Sequence, residues 1–123
     1  MDLELSERTV DGCAVVGLRG ELDLSVAPDV RDRLLAILSA QSAASLIVDL
    51  SGLEFLDSTG LNMLLATERR AGLLGGTFSL VAPQKIVAKV LRVTGLDTHF
   101  AIFPSVADAV LAAGREGATG EPV

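Results

Sequence analysis

Hydrophobic and polar positions follow two different spacings along this chain, and the changes between them predict the order of strands and helices. Leu3 to Val10 and Cys13 to Leu18 are short segments joined by Asp11-Gly12, a dipeptide that favours the tight turn of a β-hairpin. Farther along, apolar residues recur every three or four positions with charged residues between them, which predicts an amphipathic helix that begins near Pro28. Its apolar positions are Ala27, Val30, Leu34, Ile37 and Leu38.

The middle of the chain passes from a strand to a second helix. Ser45 to Leu50 is a short β-rich apolar run, typical of a strand covered on both faces, and we expect it at the centre of the sheet. Leu53 to Leu56 is predicted to form a tight connection into a helix that begins near Ser58. Gly75-Gly76 ends that helix or the loop that follows it.

The last part of the chain alternates strand, helix, strand and helix. Thr77 to Val81 is predicted to be a strand, and the third helix after it ends at Gly95. His99 to Phe103 is predicted to supply a last short strand. Ser105 followed by Asp108 indicates a capping box at the start of a final helix.

This order of elements predicts a single α/β domain in which helices pack on a mixed sheet of about five strands. The chain of 123 residues has the usual length of one compact domain. We expect the domain to span residues 1–115. Residues 116–123, which include two glycines and a proline, are predicted to be a disordered C-terminal tail.

Composition and charge indicate which kinds of partner and which cellular location to expect. The net charge is −6, and the ten Lys and Arg residues are scattered, so nucleic acid is an unfavourable partner. Polar residues interrupt the longest uncharged stretch, so we expect no membrane span. The N-terminus is acidic where a signal peptide would be basic, so we expect no signal peptide and a cytoplasmic location. Cys13 is the only cysteine, which excludes an intrachain disulfide and predicts a buried strand residue.

The segment with the most unusual chemistry lies at the predicted strand-to-helix junction around Asp57 and Ser58. A helix N-terminus has unpaired N–H groups and a partial positive charge, so a phosphate on Ser58 is tolerated there without unfolding the helix. From the residues alone, an alternative remains open, because Asp57 or Ser58 can simply cap the helix and stabilise it by roughly 1 kcal/mol.

Four short segments together carry a resemblance. Asp57-Ser58-Thr59-Gly60-Leu61 follows an apolar strand, Gly20-Glu21-Leu22-Asp23 lies at the expected place upstream, and Gly75-Gly76 and Gly95-Leu96 follow. Together they resemble the bacterial anti-sigma-factor antagonists, which are STAS domains, and the resemblance covers about residues 3 to 113. It implies a single STAS-like domain with about four helices mainly on one face of the sheet.

The resemblance implies a function in partner switching. An unphosphorylated antagonist of this family binds an anti-sigma factor, a serine kinase of the GHKL ATPase type, and thereby frees the sigma factor. The kinase phosphorylates the antagonist to end this release, and a phosphatase removes the phosphate. An alternative stays open, in which the chain is a STAS subunit of a stressosome or a lipid-transport complex without direct sigma-factor control. A monomer is favoured.

The site residues that the resemblance implies lie in two of these motifs. Ser58 corresponds to the phosphoacceptor, Asp57 to its acidic neighbour, and Thr59 to a position where Ser or Thr is usual. Asp23 corresponds to the acidic residue of the facing loop, although a plain role as a turn residue stays open for it. With Gly60, these residues form the expected partner-binding site.

The sequence offers no set of residues for catalysis. A hydrolase that used Ser58 as its nucleophile would need a histidine as general base, and the only histidine is His99, far along the chain. The glycine expected two residues before a nucleophile serine is also missing, and no Gly-Lys-Ser or Gly-Lys-Thr phosphate-binding loop is present. We therefore expect a protein that is not an enzyme and that needs no cofactor and no metal.

Overall fold

Five strands and four helices alternate in a computed structural model, which describes residues 3–40 and 44–119. The strands form one sheet in the order β1-β2-β3-β4-β5, so each strand pairs with its neighbours along the sequence. The strands are β1 (Leu3–Val10), β2 (Cys13–Leu22), β3 (Ser45–Leu56), β4 (Thr77–Val81) and β5 (Ile102–Phe103). The helices are α1 (Ala27–Ala40), α2 (Ser58–Leu73), α3 (Lys85–Val93) and α4 (Val106–Thr119).

A tight hairpin joins the only antiparallel pair among the described strands. β1 and β2 pair in continuous register from Leu3 opposite Gly20 to Val10 opposite Cys13. Asp11 and Gly12 have φ angles of 48° and 83°, which suit a two-residue turn in which both central residues are left-handed. The hairpin predicted from Asp11-Gly12 is confirmed.

The other pairings, from β2 to β5, are parallel, and they decide where the helices lie. Each of α1, α2 and α3 connects one parallel strand to the next, and right-handed crossovers in one direction place all three on the same face of the sheet. Their apolar residues share one core cluster with that face, which includes Leu34, Leu64 and Leu91. Ala109 of α4 instead packs with Cys13 and other residues of the opposite face. The predicted fold class is confirmed.

β2 and β3 both extend farther than their apolar runs predict. The predicted connection at residues 53–56 is wrong, because this segment continues β3. A register shift places Gly20 opposite Leu53 but Glu21 opposite Phe55, so Glu54 is an extra residue of the bulge type. Both strands therefore reach the edge of the sheet from which α2 starts.

The C-terminal elements differ in length from the prediction. The last strand contains two residues only, and His99 lies in the turn before it instead of in the strand. Ser105 caps α4 as predicted, since its Oγ accepts the N–H of Asp108 at 3.1 Å. The Asp108 carboxylate accepts from the Ser105 hydroxyl at 3.0 Å, in place of the backbone N–H that a full capping box uses. α4 continues to Thr119, past the predicted domain boundary at residue 115, because glycine weakens a helix without ending it. Residues 120–123 of the predicted tail lie outside the described residues.

Candidate partner-binding and phosphorylation site

The candidate site forms where β2 and β3 end side by side. These neighbouring strands are parallel, so the loop after β2 and the start of α2 after β3 lie at the same edge of the sheet. The N–H of Asp57 donates to the carbonyl of Leu22 at 3.2 Å, which continues the pairing one residue beyond β3. Asp23 comes directly after β2, and Ser58 comes two residues after the end of β3, so residues 35 positions apart in sequence follow two paired strands.

Asp57 is the N-cap of α2 and also holds the neighbouring loop. Its backbone is extended, and its Oδ1 accepts the N–H of Gly60 at 2.9 Å. Its Oδ2 accepts the N–H of Leu24 at 3.1 Å. A carboxylate at this position is further favoured by the positive end of the helix dipole. One side chain therefore satisfies a donor of α2 and a donor of the loop between β2 and α1.

Asp23 organises that loop from the other side. Its Oδ1 accepts the hydroxyl of Ser25 at 2.7 Å and the N–H of Ser25 at 3.0 Å. Its carbonyl accepts the N–H groups of Val26 and Ala27, where α1 begins. The Ser25 hydroxyl, followed by backbone N–H groups, lowers the pKa of Asp23 below its ordinary value despite some desolvation, so the carboxylate is charged at neutral pH. Asp23 thus has the turn role, and its role toward a partner stays a prediction.

Ser58 is the first residue of α2, and its side chain is exposed. Asp57 performs the capping, so this function does not occupy the hydroxyl of Ser58. Within residues 3–40 and 44–119, the Ser58 side chain makes no hydrogen bond. The first intrahelical bond joins the N–H of Leu61 to the carbonyl of Asp57 at 3.0 Å, so Ser58 lies in the turn where helix N–H groups favour an anion.

Thr59 and Gly60, the next two residues of α2, have different surroundings in the structure. Thr59 is half-buried and borders a cleft between α1 and α2, together with Pro28 and Arg31. Gly60 is buried. A Cβ atom at Gly60 would lie 2.8 Å from side-chain atoms of Leu22 and Leu56 and 2.9 Å from the carbonyl of Leu22. Gly60 therefore lets the first turn of α2 approach the sheet, and its predicted contact with a partner stays a prediction.

His99 is too far from Ser58 to act on its hydroxyl. Its Nε2 contacts Glu68 Oε1 at 2.5 Å, and its ring packs edge-on against Phe100. Glu68 lies ten residues after Ser58 on the same helix, which corresponds to about 15 Å along the helix axis. The described geometry therefore gives Ser58 no histidine base.

The described part of the chain offers neither a grouped set of metal ligands nor a membrane-spanning helix. Among these residues, no group of three or more His, Cys, Asp or Glu side chains is placed to hold a metal ion. None of the helices described has both the length and the apolar character needed to cross a membrane.

Two side-chain contacts to backbone atoms, one at this edge and one farther back on β3, were not predicted from the sequence. The first is the N–H of Leu24 on Asp57. In the second, Gln84 Nε2 donates to the carbonyl of Ser51 at 2.7 Å and holds the start of α3 against β3. The identity of a residue does not show which distant backbone group its side chain will bond. The only signal in the sequence was that the ends of parallel strands are expected to lie close together.

Comparison with known proteins identifies the family. A family model described as the STAS domain matches residues 4–109, so the chain belongs to the STAS domain family. It is 33% identical over 100 residues to the anti-sigma-F factor antagonist RsfB of Mycobacterium tuberculosis, a match that covers 81% of this chain and 80% of RsfB. The anti-sigma-B factor antagonist of Bacillus subtilis is 26% identical over 96 residues, or 78% of this chain and 86% of that protein.

A solved structure supports the same assignment. The crystal structure of an anti-sigma factor antagonist from Mycobacterium paratuberculosis matches with a TM-score of 0.80 and 33% identity. The match covers 90% of this chain and 93% of that one. The family predicted from the motifs at Asp23 and Ser58, the bacterial anti-sigma-factor antagonists, is confirmed.

Replacing Asp57 tests the double role of its carboxylate. We expect Asp57→Ala to lower the free energy of unfolding by about 2 kcal/mol, because the helix cap and the bond to the Leu24 N–H are both lost. Asp57→Asn keeps one acceptor oxygen for Gly60 and should cost about half as much. Urea denaturation of both variants and the wild type measures the difference. Equal stability of Asp57→Ala and the wild type would contradict the assignment.

Replacing Gly60 tests the close approach of α2 to the sheet. We expect Gly60→Ala to destabilise the fold by about 1–3 kcal/mol, because the methyl group overlaps atoms of Leu22 and Leu56. Gly72 in the same helix is the matched control, since a Cβ there meets nothing within 4 Å. Gly72→Ala should stabilise the protein by about 0.5–1 kcal/mol. Thermal unfolding followed by circular dichroism compares them, and the same sign for both substitutions would refute this role of Gly60.

Proposed function

We propose that this protein binds an anti-sigma factor with serine kinase activity while Ser58 is unphosphorylated, and that this binding releases the sigma factor. Phosphorylation of Ser58 by the same kinase ends the interaction. The family membership and the names of the relatives support antagonism of an anti-sigma factor. The observation that carries the switch is the exposed Ser58 at the first position of α2, with helix capping assigned to Asp57.

A kinase can reach Ser58 without unfolding the domain. Phosphoryl transfer needs the serine oxygen in line with the terminal phosphate of ATP, so the acceptor must be exposed and held in a fixed place. Ser58 is exposed, and the capping bond from Gly60 to Asp57 fixes the turn that carries it. After transfer, the N–H groups at the start of α2 favour the new anion. The phosphorylated domain therefore stays folded.

The phosphate weakens binding through charge and occupied space. It adds about 1.5 to 2 negative charges at neutral pH, next to a segment that already carries Asp57 and Glu54. It also occupies the place that the terminal phosphate of a kinase-bound ATP took before transfer. Repulsion from the kinase nucleotide and from neighbouring carboxylates therefore disfavours a second association.

The protein acts in this scheme as a binding partner and a kinase substrate, not as an enzyme. A phosphatase that removes the phosphate from Ser58 resets it. Since the scheme controls transcription, it places the protein in the cytoplasm, and the favoured form is a monomer that meets its partner through the edge at Ser58.

Substitution of Ser58 separates binding from switching. We expect Ser58→Ala to bind the anti-sigma kinase as the wild type does but to accept no phosphate, because only the hydroxyl is removed. Ser58→Glu should weaken binding about tenfold or more, since a carboxylate imitates part of the phosphate charge. Thr59→Ala is the control that keeps the acceptor. Intact mass after incubation with kinase and ATP, together with calorimetric titration, gives both readouts. Wild-type phosphorylation of Ser58→Ala would rule out Ser58 as the acceptor.

Two substitutions of Asp23 separate its turn role from a role toward the kinase. Asp23→Asn keeps an oxygen for the Ser25 bonds but removes the charge, whereas Asp23→Ala removes both. If the carboxylate pairs with a basic group of the kinase, both variants should bind about tenfold more weakly. Calorimetric titration with the kinase measures the affinities. Wild-type affinity of Asp23→Asn would leave Asp23 with the turn role alone.

A further inference from the structure

β1 forms a long edge of the sheet. Among the described strands it pairs with β2 alone, and the opposite edge is the two-residue strand β5. β1 pairs with β2 in continuous register over its eight residues, without a bulge and without a proline. Bulges, prolines and short length are common means by which proteins keep an edge strand from pairing with another chain. The charged side chains of β1 therefore decide what this edge accepts.

The backbone groups that β1 directs away from β2 belong to every second residue. In a two-residue hairpin, the residues that flank the turn exchange both backbone bonds, and bonded pairs alternate from there along the strands. Val10 and Cys13 flank the turn, so β1 bonds to β2 through its even-numbered residues. The odd-numbered residues direct their N–H and C=O groups outward. These are Leu3, Leu5, Glu7 and Thr9.

The side chains of β1 divide between the two faces of the sheet. Leu3 and Leu5 are half-buried against the core cluster beneath α1, α2 and α3. Successive side chains of a strand alternate between the faces. Glu4, Ser6 and Arg8 therefore lie on the opposite face, and all three are exposed. A strand that pairs with β1 meets a partly apolar row on one face and a polar row with both signs of charge on the other.

A second copy of β1 matches these rows in one antiparallel register. In a symmetric antiparallel pair, one residue lies opposite itself, and residues equally far on either side of it lie opposite each other. With Ser6 at the centre, Glu4 of each copy lies opposite Arg8 of the other, so two ion pairs form. A centre at Glu7 or Arg8 places like charges directly opposite, which destabilises a sheet. A centre at Leu5 shortens the pairing, because β1 begins at residue 3.

The register centred on Ser6 also satisfies the outward backbone groups. It places Leu5 opposite Glu7 and Leu3 opposite Thr9 of the other copy, and each such pair exchanges two hydrogen bonds. The charged pairs are then of the non-hydrogen-bonded kind, in which the Cα atoms are about 4.5 Å apart and the side chains lie closest. The positions of the charges and the directions of the backbone groups therefore favour the same alignment.

We propose that two copies of this chain associate through β1 in the register centred on Ser6, which joins their five-stranded sheets into one continuous sheet. The two-fold axis is perpendicular to the sheet, so the strand ends that lead to Ser58 point in opposite directions in the two copies, and both sites stay open. The proposed function treats the monomer as the favoured form. The dimer adds a second form that becomes populated as the concentration of the chain rises.

Charge reversal tests the pairing of Glu4 with Arg8. We expect a monomer–dimer equilibrium of the wild type in sedimentation velocity. Glu4→Arg or Arg8→Glu alone should raise the dimer Kd about tenfold or more, because symmetry turns both ion pairs into like-charge pairs. An equimolar mixture of the two variants should dimerise again, since each chain supplies the charge that the other lacks. Lys89→Glu on the exposed side of α3 changes the net charge as Arg8→Glu does and should leave the equilibrium unchanged.

A cysteine at the centre of the register tests the alignment. Ser6→Cys opposes two thiols whose Cα atoms are about 4.5 Å apart, within the range of about 4.4–6.8 Å that a disulfide spans. We expect oxidation to link the two copies covalently. Thr9→Cys is the control, because the two copies of this position lie six residues apart along the pair, or about 20 Å. Cys13 is buried and present in both variants. Non-reducing electrophoresis measures the linked fraction.

The outcomes separate this inference from the proposed function, on which it does not rest. Rescue in the mixture, together with faster linking of Ser6→Cys than of Thr9→Cys, supports the register. A wild type that stays monomeric at the highest concentration reached overturns the inference. A dimer that neither charge reversal weakens, or equal linking of both cysteine variants, overturns it as well. Phosphorylation of Ser58 by a kinase is measured separately, so a failure of the switch leaves the dimer in place and the reverse also holds.

Discussion

The two oxygens of the Asp57 carboxylate hold together the elements on which the rest of the site depends. One oxygen accepts from Gly60 in α2, and the other accepts from Leu24 in the loop after β2. These bonds link segments 33 positions apart in sequence and set the start of α2 against the start of α1. Because Asp57 is the cap, Ser58 falls at the first helical position and remains free for chemistry.

This arrangement also depends on the length of two strands and on one missing side chain. β2 must reach Leu22 and β3 must reach Leu56, since these two leucines form the surface on which Gly60 packs. Two register shifts, one between Gly17 and Arg19 and one at Glu54, bring the ends of both strands level. If either strand ended earlier, the loop with Asp23 would lie away from Ser58, and the two motifs would not form one site.

The sequence predicted the elements with strong local signals and missed those determined by distant partners. The Asp11-Gly12 turn and the apolar spacing of α1 are local, and both were predicted. The end of β3 was missed, because Gly52 and Glu54 interrupt its apolar run and only pairing with β2 keeps it extended. β5 was predicted, but three residues too early at its start, because a two-residue strand has no periodicity from which to set its bounds. Whether Asp57 or Ser58 capped α2 was undecidable from residue type, since both types cap well.

The same division of roles between Asp57 and Ser58 would let the proposed switch operate without a change of fold. If Ser58 were the cap, a phosphate on its oxygen would replace the bond that starts α2, and modification would alter the stability of the helix. With Asp57 as the cap, the phosphate adds charge and volume to the surface while the bonds to Gly60 and Leu24 stay in place. In the proposed scheme, the free energy of the modification would therefore act on the association with the partner and leave the fold in place.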